Sequence, residues 1–147
     1  MRRFGRQREQ GRRYVLRPGA YAVLIRGQDM LITHQAAPFN EFQLPGGGID
    51  PGESGIVALY REVMEETGWK IAAPKRLGAY RRFSYMPEYD LWAEKVCHIF
   101  TARPVRRISA PLEPDHQAIW TDVDTALRIL CNEGDRHFLR NHLRLGL

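Results

Sequence analysis

A glycine-rich loop that runs directly into an amphipathic helix is the part of this sequence that most limits the fold. Residues Leu44–Gly52 include four glycines and two prolines, a composition that predicts a tight loop rather than a regular element. From Ser54 to Thr67 the pattern becomes helical, and Gly68 supplies a left-handed position at its end. A bare backbone before a helix can approach a phosphate or a metal closely. The segment therefore predicts a ligand site where the loop meets the helix.

The predicted helix carries three glutamates on one face. Glu62, Glu65 and Glu66 stand at i, i+3 and i+4, so their side chains share one side of the helix. The opposite side is expected to be the apolar one, formed by Ile56, Leu59, Tyr60, Val63, Met64 and Thr67. Like charges at this spacing repel, and the helix dipole disfavours anions near its C-terminus. A solvated surface face would explain the triplet alone, whereas a hard divalent cation would turn the repulsion into coordination.

The same segment resembles the Nudix box, G-x5-E-x7-R-E-U-x-E-E-x-G-U, in which U is a bulky apolar residue. Eight constrained positions match at the required spacing, namely Gly47, Glu53, Arg61, Glu62, Val63, Glu65, Glu66 and Gly68. The last position departs from the pattern, because Trp69 stands where an aliphatic residue is usual. The resemblance extends through the order of strands over residues 18 to 145. It identifies the chain as a member of the Nudix hydrolase family.

This resemblance implies a role for each matched position and a metal cofactor, Mg²⁺ or Mn²⁺. The implied metal ligands are Glu62, Glu65, Glu66 and the carbonyl of Gly46. The implied structural residues are Gly47, Glu53, Arg61 and Gly68. Arg61 and Glu53 are also placed to form an ion pair that holds the loop on the helix.

The implied reaction is attack by water on a phosphorus of a nucleoside diphosphate linked to a further group X. Glu62, Glu65 and Glu66 are the implied catalytic glutamates, and Glu65 or Glu66 is the candidate proton acceptor, two alternatives that spacing does not separate. Many family members add a loop carboxylate from outside the box. Among the loop acids of this chain, Asp115 and Glu113 are the favoured candidates.

Candidate substrate-binding residues lie in the strand that follows the box and in the turn after it. Arg81 and Arg82 could contact phosphate, while Tyr85 and Tyr89 offer aromatic faces to a base. Alternation between core and surface would explain the same residues. Tyr85 lies 16 residues past Trp69, a spacing that resembles diadenosine-polyphosphate hydrolases. The five histidines, His116 among them, show no ligand spacing and are interpreted as structural or surface groups.

The rest of the chain predicts an α/β sandwich with a mixed β-sheet, the α/β/α arrangement that the resemblance also implies. A hairpin is expected from Ala20–Ile25 and Met30–His34 around a turn at Gly27. Further predicted strands are Arg76–Tyr85, Trp92–Ala102 and Ala118–Thr121, with a loop over Pro104–Asp115. Two C-terminal helices, Asp122–Cys131 and Asp135–Leu143, are expected on either side of Gly134. Residues 18–147 are predicted to form the Nudix domain.

Residues 1–17 are predicted to form a basic N-terminal tail. They hold seven arginines against one glutamate, so this segment accounts for the net charge of +5. Such a segment is expected to be a solvated arm, although its charge could attract polyphosphate or RNA. No secretory signal or transmembrane helix is expected. Two isolated cysteines, Cys97 and Cys131, indicate reduced thiols of a cytoplasmic protein.

Three functional interpretations remain open at this point. The first is a metal-dependent hydrolase of nucleotides or dinucleotide polyphosphates, and the second is an RNA 5′-end pyrophosphohydrolase that holds its transcript with the arginine tail. The third is a non-catalytic module that binds a nucleotide, which would not need all three helix glutamates. An exposed strand edge or the tail could also support a homodimer.

Overall fold

The computed structural model describes residues 1–145 as one mixed sheet of eight strands with three helices. The strands are β1 (Arg2–Arg3), β2 (Val15–Arg26), β3 (Asp29–Gln35), β4 (Glu41–Gln43), β5 (Gly46–Gly48), β6 (Trp69–Met86), β7 (Leu91–Arg107) and β8 (His116–Asp122). The helices are α1 (Gly55–Thr67), α2 (Val123–Ile129) and α3 (Glu133–Arg144). The end of the predicted domain, residues 146–147, lies outside the described residues.

The sheet is mixed because β2 pairs with β7 in parallel and with β3 in an antiparallel hairpin. The main order of strands is β1-β6-β7-β2-β3-β4, while β5 pairs with β2 and β8 with β3. The predicted hairpin is therefore confirmed. Strands β6 and β7 are longer than predicted, and β7 runs on through Pro104 into the segment predicted as a loop.

Apolar residues form two separate hydrophobic cores, one on each face of the sheet. Along β2, Ala20, Ala22 and Leu24 belong to the core under α1, whereas Val23 belongs to the core under α2 and α3. Successive side chains of a strand point to opposite faces, so one strand serves both layers. The predicted α/β sandwich with a mixed sheet is confirmed.

The glycine-rich segment differs from the prediction of a loop without regular structure, since Gly46–Gly48 forms strand β5. Gly46 pairs with Tyr21 of β2 so closely that a Cβ atom at Gly46 would lie 2.1 Å from the carbonyl oxygen of Ala20. Strand pairing uses only backbone groups, and the absence of a side chain permits this approach. The composition that suggested a loop is therefore what allows the strand.

Helix α1 ends at Thr67 as predicted and begins at Gly55, one residue after the predicted start, and both of its ends are capped. The Ser54 hydroxyl accepts a hydrogen bond from the Val57 N–H, and Gly68 takes the left-handed conformation with φ of 74°. The buried face differs from the prediction and consists of Ala58, Leu59, Val63, Glu66 and Thr67. Ile56 and Tyr60, which were assigned to the apolar side, are exposed. One of the three glutamates thus lies on the buried side of the helix.

Gly134 lies inside the first turn of α3 and does not separate the two C-terminal helices as predicted. A Cβ atom at this position would lie 2.4 Å from the ring of Tyr80 on β6. The glycine is therefore explained by close packing of α3 on the sheet, which a linear pattern does not reveal.

The start of the N-terminal segment docks on the domain and is not the solvated arm that was expected. Strand β1 pairs in parallel with β6, and Phe4 is buried against Tyr80 and His137. Farther along, the guanidinium of Arg12 lies 3.8 Å from the centre of the Trp92 ring. Aromatic surface attracts arginine side chains because of packing and cation–π attraction. Among residues 1–145, no helix is long and apolar enough to cross a membrane.

Candidate functional site

Arg61 joins the glycine-rich loop to helix α1. Its Nε and Nη2 atoms donate to the two Glu53 carboxylate oxygens at 2.8 Å each, so the predicted ion pair is present and bidentate. The Nη2 atom also donates to the Gly48 carbonyl at 2.9 Å. On its other side Nη1 donates to Glu62 at 2.9 Å and to Glu65 at 3.3 Å. One guanidinium therefore orients both the loop and two of the helix glutamates.

The three helix glutamates occupy different environments. The side chain of Glu66 is only 8% exposed, compared with 14% for Glu62 and 34% for Glu65. The backbone N–H of Gly46 donates to Glu66 Oε1 at 2.9 Å, so β5 fixes the orientation of this carboxylate. Gly47 lies beside Glu62, where a Cβ atom would come within 2.3 Å of its Oε2. The glycines thus allow the loop backbone to lie directly against the carboxylates.

Burial raises the pKa of two of the helix glutamates, Glu62 and Glu66. Burial raises the pKa of Glu66 well above its usual range, and nearby Glu113 and Glu62 raise it further, while the Gly46 N–H lowers it. Burial also raises the pKa of Glu62, which the hydrogen bond from Arg61 partly offsets. By contrast, the hydrogen bonds from Arg61 lower the pKa of Glu53 to about 2. A cation among the helix glutamates would therefore relieve an unfavourable concentration of negative charge.

The loop before β8 brings further ligand groups to the helix. Glu62, Glu65 and Glu113 each offer one ligand atom within 4.8 Å of the others, and Glu66, Glu113 and His116 form a second such group. Of the two loop acids named from the sequence, Glu113 thus lies at the cluster. Asp115 is exposed and belongs to neither group, and its carbonyl accepts from the Ala36 N–H.

His116 is the residue of this cluster that sequence reasoning missed. Its Nε2 lies 3.2 Å from Glu66 Oε2, and its Nδ1 lies 3.0 Å from Glu113 Oε2. The contact between His116 and Glu66 depends on the tertiary structure, because the pairing of β8 with β3 places the loop before β8 beside the end of α1. The i, i+3 spacing of Glu113 and His116 was the one sequence signal that could have indicated the pair.

A cleft of about 760 Å³ opens beside the loop and Glu62. Its lining includes Arg17, Tyr21, Tyr89 and Lys95. Burial and nearby Arg82 lower the pKa of the Lys95 ammonium. The Arg17 guanidinium lies 4.8 Å from the centre of the Tyr89 ring. The cleft therefore combines two basic groups with aromatic surface next to the carboxylates.

The other residues suggested for substrate binding are not brought together at this cleft. Arg81 is exposed on β6 beside β1, and Arg82 is half-buried and lines a separate pocket with Phe4 and the start of α3. The Tyr85 hydroxyl donates to Asp90, and its ring packs against Trp92. Of these four predicted residues, only Tyr89 lines the cleft. Arg17, Tyr21 and Lys95 had no sequence motif to indicate them.

A NUDIX domain family model matches residues 15–142. The chain belongs to the Nudix family. A Nudix hydrolase from Nitrosomonas europaea has the same fold, with a TM-score of 0.72 at 19% identity, covering 88% of this chain and 90% of that one. Both the family and the fold class predicted from the sequence are confirmed.

Two curated relatives match shorter stretches of the chain. A protein of Bacillus subtilis (strain 168), named provisionally as an 8-oxo-dGTP diphosphatase, is 32% identical over 74 residues, which are 50% of this chain and 50% of that protein. An RNA pyrophosphohydrolase of Legionella pneumophila (strain Corby) is 33% identical over 61 residues, 42% of this chain and 35% of that protein. The match thus spans half or less of the length of these relatives.

Proposed function

We propose that this Nudix protein is a metal-dependent hydrolase that cleaves a phosphoanhydride bond in a nucleoside diphosphate linked to a further group X. The observation that carries the proposal is the convergence of Glu62, Glu65 and Glu113, whose ligand atoms lie within 4.8 Å of one another. Arg61 and the glycine-rich loop hold two of these carboxylates in position. A non-catalytic domain would need neither this concentration of charge nor its support.

The donor set fits a hard divalent cation, Mg²⁺ or Mn²⁺. The carboxylates of Glu62, Glu65, Glu66 and Glu113 supply oxygen ligands of the kind that both ions accept, and the carbonyl of Gly46 is proposed as a further one. A cation bound there would neutralise charge on the phosphate oxygens and acidify a water molecule. Burial, together with nearby acids, raises the pKa values of Glu62 and Glu66, and a bound cation would favour the ionised form of both carboxylates.

Glu65 is the proposed proton acceptor. Both oxygens of Glu66 already face fixed partners, the Gly46 N–H and His116. Glu62 is held by Arg61 at 2.9 Å, whereas the contact of Glu65 with Arg61 is longer at 3.3 Å. Glu65 is also the most exposed of the three, so its carboxylate can reach a water molecule with the least disturbance of the network. Glu53 and Arg61 act structurally by fixing the loop.

The cleft beside Glu62 is the proposed position of the substrate. The Lys95 ammonium and the Arg17 guanidinium are suited to phosphate oxygens, and the Tyr89 ring to the base or sugar. Arg81, Arg82 and Tyr85 lie outside this cleft and are not assigned a contact with the substrate.

The test is cleavage of a substrate panel by protein first stripped of metal and then supplied with Mg²⁺ or Mn²⁺. The panel contains nucleoside triphosphates, oxidised dGTP, ADP-ribose, diadenosine polyphosphates and triphosphorylated RNA. Oxidised dGTP and the RNA are included because relatives carry names that specify these substrates. Reaction in ¹⁸O-labelled water identifies the phosphorus that is attacked.

We expect metal-dependent cleavage of at least one substrate, reduced about 10²-fold or more in Glu65→Gln because proton transfer is lost. Glu133→Gln, at the start of α3 on the other face of the sheet, is the matched control and should keep full activity. An unchanged rate in Glu65→Gln would exclude this residue as the proton acceptor. Metal binding without cleavage of any substrate would favour the nucleotide-binding module instead.

A second candidate is an RNA 5′-end pyrophosphohydrolase, supported by the positions of three arginines of the N-terminal segment. Arg17 lines the cleft, and Arg6 and Arg12 lie over Trp92. In the same panel, RNA cleavage that falls steeply with added salt, while mononucleotide cleavage does not, would favour this candidate.

The proposal also includes a cytoplasmic location, where free thiols stay reduced. Light scattering would test whether the protein forms a homodimer.

A further inference from the structure

Arginine side chains are concentrated where β1 and the start of α3 meet the sheet. Two recesses lie there, of about 270 and 280 Å³, and they adjoin each other because Phe4, Glu133 and Arg136 line both. Among the described residues, their lining contains a single carboxylate, that of Glu133, and five arginines, namely Arg2, Arg6, Arg82, Arg136 and Arg140. The two recesses together form an arginine groove.

The protein does not neutralise the positive charge of the arginine groove. Within residues 1–145, none of the five arginines forms an ion pair with a carboxylate. Burial lowers the pKa of His137, which also lines the groove, and nearby Arg2 and Arg140 lower it further. A recess that collects cations without counter-charges produces a positive potential that attracts anions.

A row of three cations connects the arginine groove with the cleft beside Glu62. Arg17 of β2 is the register partner of Lys95 of β7, and Lys95 is the register partner of Arg82 of β6. Residues directly opposite each other on neighbouring strands share a face of the sheet, and the strands lie about 4.8 Å apart. Arg17 and Lys95 line the cleft, whereas Arg82 lines the groove. A continuous line of positive charge therefore joins the cleft to the groove.

The row of cations is unfavourable in the absence of an anion. Like charges directly opposite each other on neighbouring strands destabilise a sheet. Burial lowers the pKa of the Lys95 ammonium, and nearby Arg82 lowers it further. The buried Asp135 carboxylate attracts Arg82, but it accepts a hydrogen bond from the Tyr80 hydroxyl at 2.7 Å and forms no ion pair with the arginine. A polyanion lying across the row would relieve the repulsion.

A single-stranded oligonucleotide fits this arrangement better than a membrane surface does. Proteins that bind single strands use a positively charged groove that follows the phosphate chain. A membrane-binding helix instead presents its basic side chains along one plane beside an apolar face. The cations of this chain line recesses that lead to the cleft beside Glu62. A phosphoanhydride in such a chain is found at its 5′ end, which the cleft would hold.

We propose that the arginine groove binds the phosphate chain of a single-stranded oligonucleotide whose 5′ end lies in the cleft beside Glu62. The inference rests on the proposed function only for the position of the 5′ end. It extends the substrate from a nucleotide to a chain, and it assigns the binding of that chain to arginines of β1, β6 and α3.

The test measures binding to the full chain without turnover. The ligands are 5′-monophosphorylated RNAs, a dinucleotide and a chain of about 12 nucleotides, labelled at the 3′ end and followed by fluorescence anisotropy. These RNAs have no phosphoanhydride to cleave, so Mg²⁺ can be present.

The double variant Arg2→Gln/Arg140→Gln removes two exposed cations from the recess that Arg82 does not line. Arg136 is left intact, because its Nη1 atom donates to two backbone carbonyls before α3. The matched control is Arg103→Gln/Arg106→Gln, which removes the same charge from exposed positions near the other end of β7 from Lys95.

We expect the wild-type protein to bind the longer RNA at least about tenfold more tightly than the dinucleotide, because only the longer chain reaches the groove. In Arg2→Gln/Arg140→Gln the dissociation constant of the longer RNA should rise about tenfold, and that of the dinucleotide should not change. The salt dependence of binding should weaken by about 0.7 in logarithmic slope for each lost phosphate contact. The control variant should stay within about twofold of wild type.

Equal affinity of the wild-type protein for both lengths, or an equal loss in the control variant, would overturn the proposal. Arg2→Lys/Arg140→Lys keeps both charges and should bind the longer RNA as wild type does, which separates the loss of charge from detachment of β1. Binding to phosphatidylserine vesicles that requires Arg2 and Arg140, without dependence on RNA length, would assign the groove to a membrane surface instead.

Cleavage of the triphosphorylated RNA is measured separately, so that failure of the groove and failure of the proposed function can be distinguished. Length-dependent binding without cleavage of any substrate would support the groove while rejecting the hydrolase. Cleavage of mononucleotides without length-dependent binding would do the reverse.

Discussion

Replacement of Phe4 by alanine tests whether the start of the N-terminal segment is part of the folded domain. Phe4 is 6% exposed and packs edge-on against Tyr80, with 5.5 Å between ring centres. Full burial of a phenylalanine contributes about 1.5–3 kcal/mol, and an edge-to-face pair adds about 0.5–1.5 kcal/mol. If β1 detaches in the variant, its backbone regains conformational entropy worth about 1–2 kcal/mol per residue, which offsets part of the lost stability.

We therefore expect Phe4→Ala to lower the free energy of unfolding by about 2–4 kcal/mol. Urea unfolding followed by circular dichroism measures this change, provided that the slope with denaturant stays constant. Phe39→Ala is the matched control, because Phe39 is 37% exposed and its loss should cost no more than about 0.5 kcal/mol. Equal stability of the two variants would refute the docked position of Phe4 and would favour the solvated arm that the sequence predicts.

Two further changes test the packing of α3 and the ion pair of the loop. Gly134→Ala should lower the free energy of unfolding by about 1–3 kcal/mol, since the new Cβ would lie 2.4 Å from the Tyr80 ring. Gly55→Ala, whose Cβ would meet nothing closer than 3.7 Å, should be neutral or stabilising, and the same cost in both variants would contradict this explanation. Because Arg61 lowers the pKa of Glu53 to about 2, the ionised carboxylate stabilises the fold above the unfolded pKa of about 4.3. That contribution is lost as the pH falls from about 4.3 through 2, so Glu53→Gln should flatten the stability profile in that range, and an unchanged profile would count against the ion pair.

Much of helix α1 could be predicted from the sequence because local interactions determine it. The Ser54 cap, the left-handed Gly68 and the Arg61–Glu53 pair depend on residues close together in the chain, and each is present. The buried face could not be derived in the same way. Glu66 lies on it because β5 and the loop before β8 cover that side of the helix, and periodicity assigns a charged residue to solvent.

The roles of two glycines, Gly46 and Gly134, also could not be predicted from the sequence. Four glycines in a short stretch predicted irregular structure around Gly46, yet the absence of a side chain there lets β5 pair with β2. Gly134 was interpreted as a break between helices, whereas it makes room for Tyr80. A glycine marks a place where a Cβ atom is not tolerated, and only the neighbouring chain decides whether that place is a turn or a close contact.

The sequence by itself determined the family, the box helix and the spacing of its glutamates, since these follow from periodicity and from residues near one another in the chain. Only the tertiary structure decided which groups complete the site. Glu113 and His116 reach Glu66 because β8 pairs with β3, and Phe4 reaches Tyr80 because β1 pairs with β6. Contacts between residues far apart in the chain depend on how strands pair across the sheet, and the identity of a single residue does not specify its distant partner.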